Sequence, residues 1–436
     1  MKIKSLPGVK VSLMAITVIL LYIFTNIRAG QAGDWRNTIH NDAKGYYAYL
    51  PGVFIYQQLN FNFFVYADSA LQLNKSICDY RFTVAPGERV NKYYAGTAVA
   101  QTPFFIVAHL YALADPETRA DGYSYPYMYG IGLAAIFYCI LGLFYLDKIL
   151  LHYNITTANR IITLWAIAFG TNVFAYTIAE PGMSHIYSFA FVAIFAYHLL
   201  QWFKNYGTRN LLYAAAALGL ILLIRPVNIM VIFFIPFLAG SANNLTTAAK
   251  QWVANPRAIG ITLLVPLAII SIQLVLYGIS TNHFFIYSYG NEGFNFLHPK
   301  VFAILFSYKK GLFVYTPIAL VALLGTLLFA RQSLYKGITF FIAFFGITYV
   351  LSSWWCWWYG GSFSGRAFIE YYPLLMIGMA TLLNTLKTKV ATTAVIIVLI
   401  TFVAQNQIQT WQYRHGILHW DNMTKEQYWR TFLKLK

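Results

Sequence analysis

Between Asp34 and Tyr49 the sequence Asp34-Trp-Arg-Asn-Thr-Ile-His40-Asn-Asp42-Ala-Lys-Gly-Tyr46-Tyr47-Ala-Tyr49 gathers two carboxylates, a histidine and three tyrosines into 16 residues. Acidic side chains are scarce here, 14 among 436 residues, so two in one short stretch are informative. A carboxylate at a water–lipid boundary beside aromatic rings can hold a raised pKa and serve as a general base. The structural alternative is that Asp34 and Asp42 cap short interfacial helices while the tyrosines form an aromatic belt.

Further along, cations fall at chain positions suited to anions. Arg225 stands before Pro226 at the end of an apolar run, where a charge is expensive unless paired, ligand-bound or snorkelling to head groups. Lys309 and Lys310 precede Gly311 at the start of another run, where orphan backbone N–H groups would add to anion binding. As plain membrane anchors these lysines need no ligand. Arg366 follows Gly360, Gly361 and Gly365, a run that lets backbone approach a ligand, with Glu370 one turn on as a helical ion partner. His185 opens an apolar helix just after Glu180-Pro-Gly-Met, and reads equally as a satisfied core histidine or a site residue. Trp354, Trp355, Trp357 and Trp358 suit stacking on a ligand's ring or apolar chain, and suit an interfacial belt equally well.

The elements that must position these residues are membrane helices. The chain is 59% hydrophobic and only 10% charged, whereas a soluble domain is about a quarter charged. Stretches near 10–28, 125–147, 160–179, 184–203, 210–225, 227–241, 257–278, 312–330, 337–354, 367–386 and 390–405 each approach the roughly 20 apolar residues that a span requires. We therefore expect an all-α, polytopic integral membrane protein of about eleven spans (ten to twelve), with one membrane domain over 1–436. The first apolar stretch reads as a retained helix rather than a signal peptide.

Basic connections at Lys148/Arg160, Lys204/Arg209, Lys250/Arg257, Arg331/Lys336 and Lys387/Lys389 all fall on the cytoplasmic side if eleven helices cross. The stretch 97–114 is then expected to be re-entrant or to lie along the outer interface. The outer face receives a long loop, 29–96, with short interfacial helices. It also receives the tail, 406–436, whose Arg414, Lys425, Arg430, Lys434 and Lys436 run against the positive-inside rule. The net charge of +17 comes from basic residues scattered over short loops, which argues for anionic lipid contact and against nucleic acid. Cys78, Cys139 and Cys356 lack metal-site spacing and imply no disulfide.

Asp42-Ala-Lys-Gly-Tyr46-Tyr47 in the first outer loop resembles the Asp-x-x-x-Tyr-Tyr pattern of GT-C glycosyltransferases, multi-helix membrane enzymes whose sugar donor is linked to a polyprenyl phosphate. Asn91-Lys92-Tyr-Tyr-Ala-Gly running into Pro103-Phe-Phe and His109 is similar to the end of that loop in bacterial members. Glu180-Pro-Gly-Met-Ser-His185, Arg225-Pro226 and Trp357-Trp358-Tyr-Gly-Gly-Ser-Phe-Ser-Gly-Arg366 also resemble members of this group.

The resemblance implies an inverting transfer at the extracytoplasmic face of a plasma (inner) membrane, onto a lipid or glycan acceptor. It assigns Asp42 to the acceptor hydroxyl. Asp34, His40, Tyr46, Tyr47, Lys92, Glu180, His185 and Trp358 would surround acceptor and donor, and Arg225, Arg366, Lys309 and Lys310 would receive the departing phosphate. Members with two adjacent acidic residues differ from this chain, where Asn41 precedes Asp42, so a divalent metal is not favoured and no cofactor is expected. Alternatives from other classes are a transporter or flippase of a lipid-linked sugar, and an inactive homologue serving as a scaffold.

Overall fold

The computed structural model describes residues 7–29, 34–71 and 79–435, with the backbone alone at Ala29 and Asp34. Cys78 lies outside them. Among the described residues, eight helices are long and apolar enough to cross a membrane: Pro7–Arg28, Gly96–Ala114, Tyr125–His152, His185–Asn205, Pro256–Thr281, Leu334–Ser352, Arg366–Thr385 and Lys389–Arg414. The bent pair Pro226–Ala239 and Ala242–Val253, turned by 117°, would make a ninth if it counts as one span.

Several expected spans are shortened or broken, for local reasons. The 160–179 stretch stops at Gly170 and resumes at Val173, because the Thr171 hydroxyl bonds back to the Ile167 carbonyl and Asn172 accepts from Tyr372 at 2.7 Å. The 227–241 stretch winds as a 3-10 helix after Pro226 and turns at Gly240, whose φ of 77° is left-handed. Thr208–Ile224 and Pro317–Gln332 are apolar but shorter than the usual span.

Helix Gly96–Ala114 has the composition to cross, yet both its flanks are in contact with the first loop. Ahead of it, the Ala95 N–H donates to Gln273, which in turn donates to Tyr49. Beyond it, Asp121 and Gly122 accept from Tyr56, Tyr66 and Tyr47. The first loop itself is built from helix Asp42–Phe54, a short helix Phe64–Ala70 and a hairpin in which Arg81–Ala85 pairs antiparallel with Glu88–Asn91. The hairpin docks on Gly45, whose missing side chain admits the Tyr80 and Tyr93 side chains, and Asn91 bonds the Gly45 carbonyl at 2.7 Å. Asp42 and Tyr93 are thereby brought face to face.

The tail lies on the same face. Trp420 accepts from the Ser362 N–H, the Trp358 indole donates to Asp421 at 2.8 Å, and the Trp429 indole donates to Tyr308. Trp420 and Asp421 of the tail thus stand beside the segment that carries Arg366.

The helix that follows Arg366 is fixed by close backbone packing. A Cβ on Gly325 would collide with the Gly378 carbonyl, and one on Gly378 with the Ala322 carbonyl. Helices Pro317–Gln332 and Tyr372–Thr385 can approach so closely because both contact residues lack side chains. Gly378→Ala should therefore cost about 1–3 kcal/mol by overpacking, seen as a lowered thermal midpoint in detergent. An unchanged midpoint would mean the helices separate freely.

Candidate active site at the loop-one face

A cavity of about 310 Å³ opens where the first loop, the helix ends at His185 and Arg225, the loop after Thr281 and the segment Trp354–Arg366 converge. Asp42, Tyr46, Lys92, His185, Arg225 and Arg366 line it, six of the thirteen residues singled out from the sequence. Aromatic rings from Tyr93, Tyr289, Phe294, Trp354 and Tyr359 complete the wall.

Asp42 is the first residue of its helix, but its carboxylate is not spent on a cap. One oxygen accepts from the Tyr93 hydroxyl at 2.7 Å and the other from Arg366 Nη2 at 2.9 Å. Burial pushes this carboxyl up, and the Arg366 guanidinium, the Tyr93 hydroxyl and the Lys92 charge together pull it further down, to a net value below the ordinary 3.8. The resting group is a carboxylate throughout the physiological range. The raised pKa expected of an interfacial acid is therefore not found, because Arg366, Tyr93 and Lys92 together outweigh desolvation.

A second ion pair lies deeper. Glu370 is fully buried, and its Oε1 accepts from Arg225 Nη1 at 3.0 Å and stands 2.9 Å from His185 Nδ1. Asn228 bridges toward it at 3.5 Å and bonds Ser188 at 2.9 Å. Glu370 is not the helical partner of Arg366 that its spacing suggested. The segment Arg366–Tyr371 winds as a 3-10 helix, so residues four apart leave the common face and each reaches a different partner. Arg225 neither snorkels nor stands alone, and it lies 5.7 Å from the Tyr359 ring. At the mouth, Lys92 pairs with Glu292 and rests 5.3 Å from the Tyr289 ring.

The other expected residues lie elsewhere. Tyr47 is buried and its hydroxyl ties down Gly122, away from the cavity. His40 and Glu180 face each other at 3.9 Å without lining it. Lys309 sits 3.5 Å over the Trp358 ring, whose indole is held by Asp421. Lys310 is buried and spends its ammonium on the Ser362 and Trp420 carbonyls, and burial pushes its pKa down to about 7. Neither lysine meets an anion in the cavity, in contrast to expectation. Asp34 begins a 3-10 turn, and its side chain lies outside the described residues.

The sequence reading missed Tyr93, Tyr289, Glu292, Tyr359 and Asn228. Chemically they are indistinguishable from belt tyrosines and ordinary loop polars. Two carboxylates, Asp42 and Glu292, line the cavity and both are already matched by a cation. Among the described residues, no three His, Cys, Asp or Glu side chains converge as a metal site would require.

Two measurements follow. Glu370→Ala should cost about 3–5 kcal/mol, because it strands a buried Arg225 charge, and a thermal or denaturant midpoint within error of wild type would contradict this. The Asp42–Arg366 pair should contribute stability that is complete above pH 3.8 and is lost as pH falls through the lower folded value. Acid titration of the thermal midpoint checks it, and Asp42→Asn should flatten that limb.

No family profile matches the sequence, and no curated protein does. Solved structures similar to this chain include two archaeal ones. One is the oligosaccharyltransferase of Archaeoglobus fulgidus in its apo form, at 12% identity and a TM-score of 0.50 over 97% of this chain. The other is the archaeal oligosaccharyltransferase AglB of Archaeoglobus fulgidus with an inhibitory peptide and a dolichol-phosphate, at 13% identity and a TM-score of 0.47, also over 97%. This chain spans 60% of the length of each. At such identity the likeness speaks for architecture, and it does so over nearly the whole chain. This protein is a polytopic helical membrane protein whose fold is similar, over 97% of the chain, to that of the archaeal oligosaccharyltransferase.

Proposed function

We propose that this protein is a glycosyltransferase that moves a sugar from a polyprenyl-phosphate carrier to a hydroxyl of a lipid or glycan acceptor, with inversion, at the extracytoplasmic face of the plasma membrane. The observation that carries the reading is the meeting of one ionised carboxylate, Asp42, with two arginines, Arg225 and Arg366, in one aromatic-lined cavity. That similarity of fold supports it.

In this reaction the acceptor oxygen attacks the anomeric carbon as the bond from that carbon to the phosphate oxygen breaks. Asp42 takes the hydroxyl proton, and the polyprenyl phosphate leaves with the bonding electrons toward the arginines. Guanidinium groups suit this task because their planar donors match two phosphate oxygens at once. Tyr289, Trp354 and Tyr359 offer ring faces to the sugar, and the apolar helices hold the polyprenyl tail. Because its carboxylates are matched by Arg366 and Lys92, the site works with protein cations rather than a divalent metal.

A lipid-linked-sugar flippase needs a similar mouth, but also a run of ionisable groups through the bundle. The other buried carboxylate–arginine pair among the described residues, Asp147–Arg160 at 3.1 Å, is sealed at 1% exposure and does not line the cavity that holds Asp42. That favours the enzyme.

The test is transfer by protein reconstituted in lipid with polyprenyl-phosphate sugars and candidate acceptors. Asp42→Asn should lower transfer by about 10²-fold or more, the usual share of a general base. Chelation by EDTA should leave it unchanged. Undiminished transfer by Asp42→Asn would remove Asp42 as the base, and donor movement between leaflets without product would establish the flippase instead.

A further inference from the structure

Every cation lining the cavity is already matched by a carboxylate: Arg225 by Glu370, Arg366 by Asp42, and Lys92 by Glu292. An arriving phosphate must therefore either join an existing pair or take a cation away from its partner. The two arginine pairs are not equal in this respect. Glu370 has no exposure, its second oxygen has no partner among the described residues, and it is wedged between His185, Asn228 and Arg225. Losing Arg225 would leave a fully buried carboxylate with His185 and Asn228 but without the guanidinium that balances its charge, which is costly. Asp42 faces the cavity with its side chain 23% exposed, keeps the Tyr93 hydroxyl on its other oxygen, and has Lys92 nearby. It can release its arginine and remain solvated.

We infer that Arg366 is an exchangeable partner. At rest it neutralises Asp42, and an arriving donor phosphate draws it away, freeing the carboxylate for the acceptor hydroxyl. This rests on the glycosyltransferase reading above and adds an order to it. Arg366 Nε, buried and without a partner among the described residues, supplies a donor that Asp42 does not use and a phosphate oxygen can. Arg225, fixed by Glu370, is the stationary half of the phosphate clamp. Until donor phosphate is present, the base is masked, so the acceptor is deprotonated only when a sugar is in place to receive it. The device makes donor binding precede productive acceptor binding, and it discourages activation of water in the empty site.

The exchange predicts an effect opposite to that of simply damaging a binding site. Removing the charge of Asp42 frees Arg366 in advance, so the catalytically dead variant should hold the donor head group more tightly. The probe is a short-chain polyprenyl phosphate titrated against the full-length protein in detergent by calorimetry. We expect Asp42→Asn to bind it about tenfold more tightly than wild type, the weight of one hydrogen bond to a charged group, and Arg366→Ala to bind it more weakly than wild type.

Should Asp42→Asn fail to fold, Tyr93→Phe serves in its place. It deprives Asp42 of the bond that would support it alone, and should weaken binding about fivefold. An unchanged or weaker Kd in Asp42→Asn, or an unchanged Kd in Tyr93→Phe, overturns the exchange while binding by wild type leaves the glycosyltransferase reading standing. No binding by wild type overturns both.

Discussion

A charge inside a lipid-embedded bundle must be met by another charge, and Glu370 imposes that requirement on the rest of the molecule. It sits without exposure at the start of one helix, and its partners come from two others, His185 at the first residue of its helix and Arg225 just past the last residue of another. Three chain segments must end at the same depth for this carboxylate to be tolerated. Their ends together make the floor of the cavity. The loops that follow have no choice but to form its walls.

On that floor the chemistry is arranged by depth. The inner arginine is held by a carboxylate that cannot let go, and the outer one by a carboxylate that can. Two residues of the same type, lining the same cavity, thus have different freedom. The difference comes from the burial of their partners, not from the arginines themselves. The aromatic lining strengthens both pairs by excluding water, and it turns ring faces toward anything that enters.

Much of this was legible in the sequence, because lipid imposes strong patterns. The long apolar runs gave most of the spans, and charges stranded at their ends, at Asp42, His185, Arg225 and Arg366, marked the residues that line the cavity. What failed was everything decided by local winding or by distant chain. Glu370 read as a neighbour of Arg366 because the spacing assumed an α-helix, and the 3-10 turn moved it to a different partner. Lys309 and Lys310 read as anion ligands because nothing in their own segment shows that Lys309 would lie over the Trp358 ring or that Lys310 would donate to the Trp420 carbonyl, 110 residues on. Tyr93 and Tyr289 could not be told from interfacial tyrosines, since their roles lie in what they face. The tail read as a conflict of topology, and its Asp421 carboxylate and Trp420 carbonyl hold Trp358 and Ser362 in the segment that leads to Arg366.

That support has a consequence for how the protein comes into being. Residues 418–429 are translated after every helix of the bundle described here, and they brace the glycine-rich segment ahead of Arg366 through Trp420 and Asp421. While the ribosome still holds them, the segment leading to the outer arginine lacks its Trp420 and Asp421 contacts and is held by Tyr176, Thr316 and Lys310. The segment that leads to the outer arginine thus leans on chain that is synthesised later than the bundle helices, and its final packing waits on that chain.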